Sequence, residues 1–170
     1  MSLIDSAHAL VDQHLTGPIL ELEAIQHVEY EPALRRWYVR FGCDAREATT
    51  IYFDLHQRTL RHEVFFLPGP EDPQRRAALA EWLLQRNHDL YGTRFSMGAE
   101  GDVYLTGRVA LEHLTAEEID RIIGVIYEIT ERWFQAAVRI AYARRARSRA
   151  GAHHVAPRAD RKSTRLNSSH

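Results

Sequence analysis

The segment 37–67, WYVRFGCDAREATTIYFDLHQRTLRHEVFFL, carries the strongest strand pattern in the chain. Apolar side chains occupy every second position in 37–41 and again in 51–55, and a third apolar-rich run follows at 60–67. A period of two residues is typical of a β-strand that buries one face. Only short connections separate the three runs, so we expect three consecutive antiparallel strands.

Further strands are predicted on both sides of this segment. Residues 93–98 and 103–109 form a hairpin around a turn at 99–102, whose glycine and aspartate suit sharp backbone angles. Residues 27–30 alternate like an edge strand, whereas 19–26 fits either a helix or a strand.

Two helices are predicted from their capping residues. The motif SLID at 2–5 caps a helix over 3–15, which the residues TGP at 16–18 should end. The pair DP at 72–73 supplies an N-cap followed by proline at the first helical position. We expect that second helix to run to about residue 90.

The last predicted helix begins at a capping box that starts with Thr115, and it has a long apolar stripe. If it continues to Arg147, it has about 32 residues and is roughly 48 Å long. Gly124 inside it costs about 1 kcal/mol relative to alanine, and a close contact with another helix or strand is one explanation for it. Trp133 and Phe134 widen the stripe beyond what one sheet needs, so we predict that they form a homodimer contact.

The elements therefore follow in the order helix, three to four strands, helix, two strands and a long helix. Runs of antiparallel strands broken by helices are typical of α+β folds. We expect a single α+β domain over residues 1–149, with an antiparallel sheet of about five strands and helices packed on one face.

Composition places the chain among globular proteins. Its 170 residues are 45% hydrophobic and 26% charged, and no apolar run approaches the roughly 20 residues that span a bilayer. The first residues lack the basic and apolar parts of a secretory signal, and the single cysteine, Cys43, allows no internal disulfide. We expect a cytoplasmic protein with no membrane contact.

The end of the chain needs separate treatment. Residues 160–170 look like the in-frame translation of a sequencing adapter and hold the only lysine, Lys162. Without that segment, which carries a net charge of +2, the rest of the chain carries −3 in place of −1. We expect 150–170 to be a disordered tail. The acidic body gives no electrostatic reason to expect nucleic acid or an anionic membrane as a partner.

Three blocks of sequence carry a family resemblance. They are WLLQRNHDLYGTRF at 82–95, GDVYLTGR at 101–108 and LTAEEIDRIIG at 114–124. Together they resemble the actinobacterial branch of the YbjN-domain family, over roughly residues 35–142. That family is described as bacterial sensory transduction regulators, and its fold is similar to that of type III secretion chaperones, small α+β proteins that commonly form dimers and bind segments of other proteins. The resemblance implies a protein-binding regulator, and it implies no reaction or cofactor.

The polar run RNHD at 86–89 looks at first like a reaction centre, but it fits the end of a helix better. Successive helical residues point about 100° apart, so four in a row do not converge on one ligand. Arg86 and His88 suit the last carbonyl groups of a helix. Either Asn87 or Gly92 suits the left-handed backbone that follows a helix.

The polar positions of the strands define the main candidate site. If the apolar positions face the helices, the period of two places the intervening side chains on the opposite face. That face then holds Tyr38, Arg40, Tyr52, Asp54, His56, Arg94, Ser96, Tyr104, Thr106 and Arg108. Tyrosine and arginine are enriched in protein interfaces, whereas an ordinary solvated face with cross-strand ion pairs is the plain alternative. The predicted interaction surface is Tyr38, Arg40, Tyr52, Asp54, His56, Tyr104 and Arg108.

Other chemistry has weak support. The only candidate set of metal ligands is Asp54, His56 and His62, which has fewer ligands than a structural metal site needs. Asp44 is expected to raise the pKa of the neighbouring Cys43 thiol and so to make it less reactive. The sequence has no phosphate-binding loop or hydrolase motif. We therefore predict no catalytic residue, no metal and no cofactor.

These observations predict a non-enzymatic, chaperone-like regulatory module that binds a protein partner and forms a homodimer. The alternative is a small-ligand-binding or enzymatic domain that uses a pocket between sheet and helices. The arginines at 139, 144, 145, 147 and 149 suit a helix C-terminus, and contact with an acidic partner is also open to them.

Overall fold

The computed structural model describes residues 1–144. The predicted tail at 150–170, its adapter-like segment at 160–170 and the arginines at 145, 147 and 149 lie outside the described residues. The helices and strands are α1 (Leu3–His14), β1 (Ile25–Glu31), β2 (Arg36–Cys43), β3 (Arg46–Leu55), β4 (Thr59–Leu67), α2 (Pro73–Asn87), β5 (Thr93–Met97), β6 (Val103–Ala110) and α3 (Ala116–Tyr142).

The strands form one antiparallel sheet in the order β1-β2-β3-β4-β6-β5. The predicted α+β fold with helices on one face is confirmed. The sheet has six strands where about five were expected, because the ambiguous region before residue 31 contributes a full edge strand, Ile25–Glu31. After α2 the chain crosses to the far edge as β5, and β6 returns between β5 and β4.

The core lies between the sheet and the helices. Val39, Phe41 and Ile51 are buried on the inner face of the sheet, and Ile122 and Ile126 of α3 are buried above them. The predicted period of two therefore holds in the strands, and the apolar stripe of α3 meets it. The helix α1 is tied to the same face, because the indole N–H of Trp37 donates to Asp12 Oδ1 at 3.0 Å.

The first α-helix begins as predicted and ends at His14, and a helical turn that was not predicted follows it. Ser2 and Asp5 form a reciprocal capping box, in which each side chain accepts from the backbone N–H of the other residue. The residues at 16–18 do not stop the chain, which continues as a wider π-helical turn over Leu15–Ile19. Pro18 lacks an N–H and so cannot make the ordinary α-helical bond, and the looser turn accommodates its ring.

The last helix differs from its prediction in two ways. Thr115 caps it as expected, accepting from Glu118 N–H at 3.1 Å, but the helix ends at Tyr142 and does not reach residue 147. Arg75 of α2 donates to the carbonyl groups of Ala141 and Ala143, so α2 holds the terminal turn in place. The expected close contact at Gly124 is wrong, since a Cβ atom there would meet nothing within 4 Å.

Candidate functional site

The face of the sheet opposite the helices is called the open face, and its side chains form regular rows across the strands. Strand register sets one residue of each strand directly beside the next. One row consists of charged residues and is called the charge row. Its members, one on each of β1, β2, β3, β4 and β6 in that order, are Glu31, Arg36, Asp54, Arg61 and Arg108. Its charges alternate in sign from β1 to β4, which is the favourable arrangement for side chains on neighbouring strands.

The centre of the charge row is a tight ion pair. Arg36 Nε lies 2.6 Å from Asp54 Oδ1, and its Nη2 lies 3.1 Å from Oδ2, so the contact is bidentate. The Arg36 guanidinium also lies over the ring of Tyr52, 5.1 Å from its centroid. The Asp54 carboxylate raises the pKa of Arg36, because it hydrogen-bonds to the charged form. Both groups are therefore engaged with each other.

Two aromatic pairs lie in the next two open-face rows, both on the same side of the charge row. The rings of Tyr38 and Tyr52 meet edge to face at 5.1 Å, and those of Phe65 and Tyr104 at 5.7 Å. The Tyr38 hydroxyl donates to the Glu31 carboxylate, which orients its ring. Phe65 is 38% exposed, which is unusual for a phenylalanine in the middle of a sheet. The open face thus presents rigid apolar surface beside fixed charges.

The structure places six of the seven predicted surface residues on the open face. Strand register puts them there because each pairs with another open-face position: Tyr38, Arg40, Tyr52, Asp54, Tyr104 and Arg108. The seventh, His56, lies one residue beyond the end of β3 in the exposed turn that leads to β4, and its N–H donates to the carbonyl of Thr59 at 2.9 Å.

The prediction missed several members of the open face, among them Arg36, Arg61, Glu63 and Phe65. The signal that identifies them was present, since each alternates with an apolar neighbour that faces the core. Arg36 lies just before the first apolar position of its strand, and the other three lie on the third strand.

The residues predicted as a dimer contact have partners within the chain. Trp133 packs edge to face on Trp82 at 6.5 Å, and Phe134 packs on Phe66 at 5.6 Å. The Arg46 guanidinium covers the Phe134 ring at 4.6 Å. Both side chains are half-buried, so each has partners on α2, the sheet or Arg46 and also keeps an exposed part.

The residues considered as metal ligands do not come together. Asp54 lies on the open face, His56 in a turn, and His62 on the inner face, where it is 1% exposed. His62 Nε2 lies 2.8 Å from Thr93 Oγ1, and its Nδ1 has no hydrogen-bond partner among the described residues. Burial lowers the pKa of His62 to about 4. Within residues 1–144, no three acidic, histidine or cysteine side chains are arranged to hold a metal ion.

The Cys43 thiol has a raised pKa, in the predicted direction but for a different reason. Burial is the main cause, and a hydrogen bond to Glu131 is the next. Glu131 also accepts the Ala45 N–H at 3.0 Å, which holds its carboxylate over the β2–β3 turn. The neighbouring Asp44 is not the residue responsible.

The run at 86–89 lies at the end of a helix, as predicted, and one of its residues also bonds to the edge strand β5. The helix α2 ends at Asn87, before the expected residue 90, and Gly92 takes the left-handed backbone with a φ of 76°. The Asn87 amide bonds twice to the backbone of Phe95 on β5: it accepts the N–H at 2.7 Å and donates to the carbonyl at 2.9 Å. Asn87 therefore covers part of the free edge of the sheet.

A groove of about 660 Å³ lies between α2 and α3, on the outer side of the helices. Val125 and Trp133 form part of its apolar lining, and Arg86, Arg121 and Arg132 bring positive charge to it. Its position differs from the predicted alternative, a pocket between sheet and helices. Arg121 is already held by a two-pronged bond to Glu118, with contacts of 2.9 and 2.5 Å.

None of the helices in the described part of the chain combines the length and the apolar composition needed to cross a membrane.

Comparison with known proteins gives one family and several relatives. The profile of the YbjN family, described as "Putative bacterial sensory transduction regulator", matches residues 45–138, which is more than half of the chain. An uncharacterized protein of Mycobacterium tuberculosis is 31% identical over 86 residues, which cover 51% of this chain and 46% of that protein. An uncharacterized protein of Mycobacterium leprae is 26% identical over 135 residues, which cover 79% of this chain and 68% of that protein. The match therefore spans less than half the length of the M. tuberculosis relative.

Among solved structures, the type III secretion chaperone SycH of Yersinia pestis, in complex with a stable fragment of YscM2, is similar with a TM-score of 0.48. The two sequences are 12% identical, and the similarity covers 73% of this chain and 96% of that one.

Proposed function

The chain belongs to the YbjN family, and from that premise we propose that it is a regulatory or chaperone-like module that binds another protein through its open face. The observation that carries the proposal is the pair of aromatic contacts, Tyr38–Tyr52 and Phe65–Tyr104, in which an exposed phenylalanine and three half-buried tyrosines lie in the rows next to the charge row on an uncovered sheet. Aromatic and arginine side chains of this kind supply contact area at low entropic cost, because few bonds need to be immobilised.

The arrangement of charges supports binding rather than catalysis. Arg36 and Asp54 are joined to each other, and Tyr38 is joined to Glu31, so these groups are occupied in orienting the surface. The buried polar side chains of residues 1–144 are few, and the core beneath the sheet is apolar. We accordingly propose no catalytic role, no metal and no cofactor, and we propose a cytoplasmic location.

The test is affinity capture from the source organism, followed by mass spectrometry. The variant Phe65→Ser/Tyr104→Ser removes the exposed aromatic pair from the open face. The matched control is Leu84→Ser/Tyr91→Ser, which removes two side chains that are 69% and 82% exposed on the helix side. We expect the open-face variant to lose a protein that the wild type and the control both retain. Equal capture by all three proteins would reject the open face as the binding surface.

We also propose, separately, that the protein forms a homodimer through the exposed parts of Trp133 and Phe134. Both rings are half-buried within the chain, so each keeps an exposed part beside the apolar stripe of α3. Sedimentation velocity at micromolar concentration tests this: a dimer is expected for the wild type, and Trp133→Ser should shift it toward monomer. A wild-type protein that sediments as a monomer refutes the proposal.

A further inference from the structure

The alternation of the charge row fails at one place. Arg61 on β4 and Arg108 on β6 are direct neighbours across the strand pair, so two positive charges follow each other where the pattern calls for a negative one. Like charges directly opposite each other destabilise a sheet. The arrangement is therefore unfavourable in the isolated chain and becomes favourable when an anion is placed beside it.

A third arginine adds to the same spot. Arg94 on β5 pairs with Thr106 on β6, two residues from Arg108, so its side chain projects from the same face. The three arginines and Thr106 line a pocket of about 380 Å³, and Gly92 and Gly107 contribute no side chain to fill it. The pocket lies at the β6–β5 end of the open face.

The local charge is not balanced by the rest of the described chain. Glu63 lies 3.4 Å from Arg61 and offsets one positive charge. Within residues 1–144, Arg94 and Arg108 have no carboxylate within ion-pair distance. The pocket therefore keeps a surplus of two positive charges, although the chain as a whole has a net charge of −1.

We propose that Arg61, Arg94 and Arg108 bind the carboxylates of an acidic segment in the protein partner, an inference that rests on the proposed function. Guanidinium groups suit carboxylates because their planar N–H donors form two parallel bonds to the two oxygens. The opposite end of the open face carries Glu29 and Glu31 on β1, which repel the same segment. The charges therefore favour binding of the acidic segment and also set its position on the open face.

The experiment uses a short, fluorescein-labelled peptide of alternating glutamate and serine, with a glutamine–serine peptide as the neutral probe. Fluorescence polarisation with the full chain should show binding of the glutamate peptide alone, weakened by added salt because exposed charges are screened. Arg94→Gln/Arg108→Gln should weaken binding by about tenfold or more, as loss of close charge pairs does at interfaces. The matched control Arg132→Gln removes an exposed arginine of α3, on the helix side and outside the open face, and should leave the affinity unchanged.

Three outcomes overturn the proposal: equal binding of the two peptides, an unchanged affinity in the double variant, or displacement of the peptide by inorganic phosphate at lower concentration than by free glutamate peptide. The last result would identify a phosphate site instead. Thermal unfolding of the double variant confirms that it folds, and relief of the repulsion should leave its Tm equal or higher. If Arg94→Gln/Arg108→Gln keeps the captured partner while Phe65→Ser/Tyr104→Ser loses it, this inference fails and the proposed function stands.

Discussion

Replacing Asn87 by alanine should destabilise the protein far more than its position at a helix end suggests. The side-chain amide replaces a missing neighbouring strand, because it bonds to both the N–H and the carbonyl of Phe95. Phe95 is 4% exposed, so its backbone groups have poor access to water once the amide is removed. A helix-terminating residue without such contacts would be replaceable at little cost.

The magnitude follows from the two bonds. Each intramolecular hydrogen bond contributes about 1 kcal/mol net, and a buried backbone group left without a partner costs about 1–3 kcal/mol. We therefore expect Asn87→Ala to lower the free energy of unfolding by about 2–4 kcal/mol, with water at the half-buried site favouring the lower end. For a chain of this size, that corresponds to a fall in Tm of roughly 5–15 °C.

Chemical denaturation followed by circular dichroism measures the effect. Asn87→Asp is the informative partner, because it keeps the acceptor for the Phe95 N–H but sets a carboxylate against the Phe95 carbonyl, so it should not restore stability. His88→Ala, at the next position on the exposed end of α2, is the matched control and should change the free energy by less than about 0.5 kcal/mol. A loss of less than about 0.5 kcal/mol in Asn87→Ala would show that the two bonds to Phe95 do not stabilise the edge strand.

Two further predictions concern single positions. Gly124→Ala should raise the free energy of unfolding by about 0.5–1 kcal/mol in the same denaturation assay, because alanine is the better helix former and its Cβ meets nothing within 4 Å. Gly92 has a φ of 76°, so Gly92→Ala should lower the free energy of unfolding. A change in the same direction for both variants would contradict this prediction. His62 has a folded-state pKa of about 4 against an ordinary value of 6.5, so its neutral form stabilises the fold above pH 6.5 and this contribution is lost as pH falls toward 4. The difference in unfolding free energy between wild type and His62→Gln should therefore shrink by about 3 kcal/mol from pH 7 to pH 4, since a shift of one pKa unit corresponds to about 1.4 kcal/mol. A difference that stays constant over this range would show that protonation of His62 does not destabilise the fold.

The open face shows how far a local pattern reaches. Six of its predicted residues lie where the period of two placed them, and the same rule would have found Arg36 and Phe65. For His56 the period of two does not by itself set the face, because β3 ends one residue earlier, at Leu55. Gly124 shows a different limit of local patterns. A glycine inside a helix costs helix stability, but the close contact with another helix or strand that was expected to explain it is not found, since a Cβ atom there would meet nothing within 4 Å.

Local patterns in the sequence predicted most of the strands, the starts of the helices with their capping residues, and the two faces of the sheet, because side-chain direction follows the local repeat of the backbone. The hairpins follow from short connections along the chain, but the pairing of β6 with β4 is a long-range contact set by tertiary packing. Placing β6 between β4 and β5 is what sets Arg61 beside Arg108, and it carries β5 to the edge that Asn87 covers. Such contacts join residues that are far apart in the chain. They depend on the free energy of packing the whole sheet against its helices, and a repeat of a few residues carries no information about that packing.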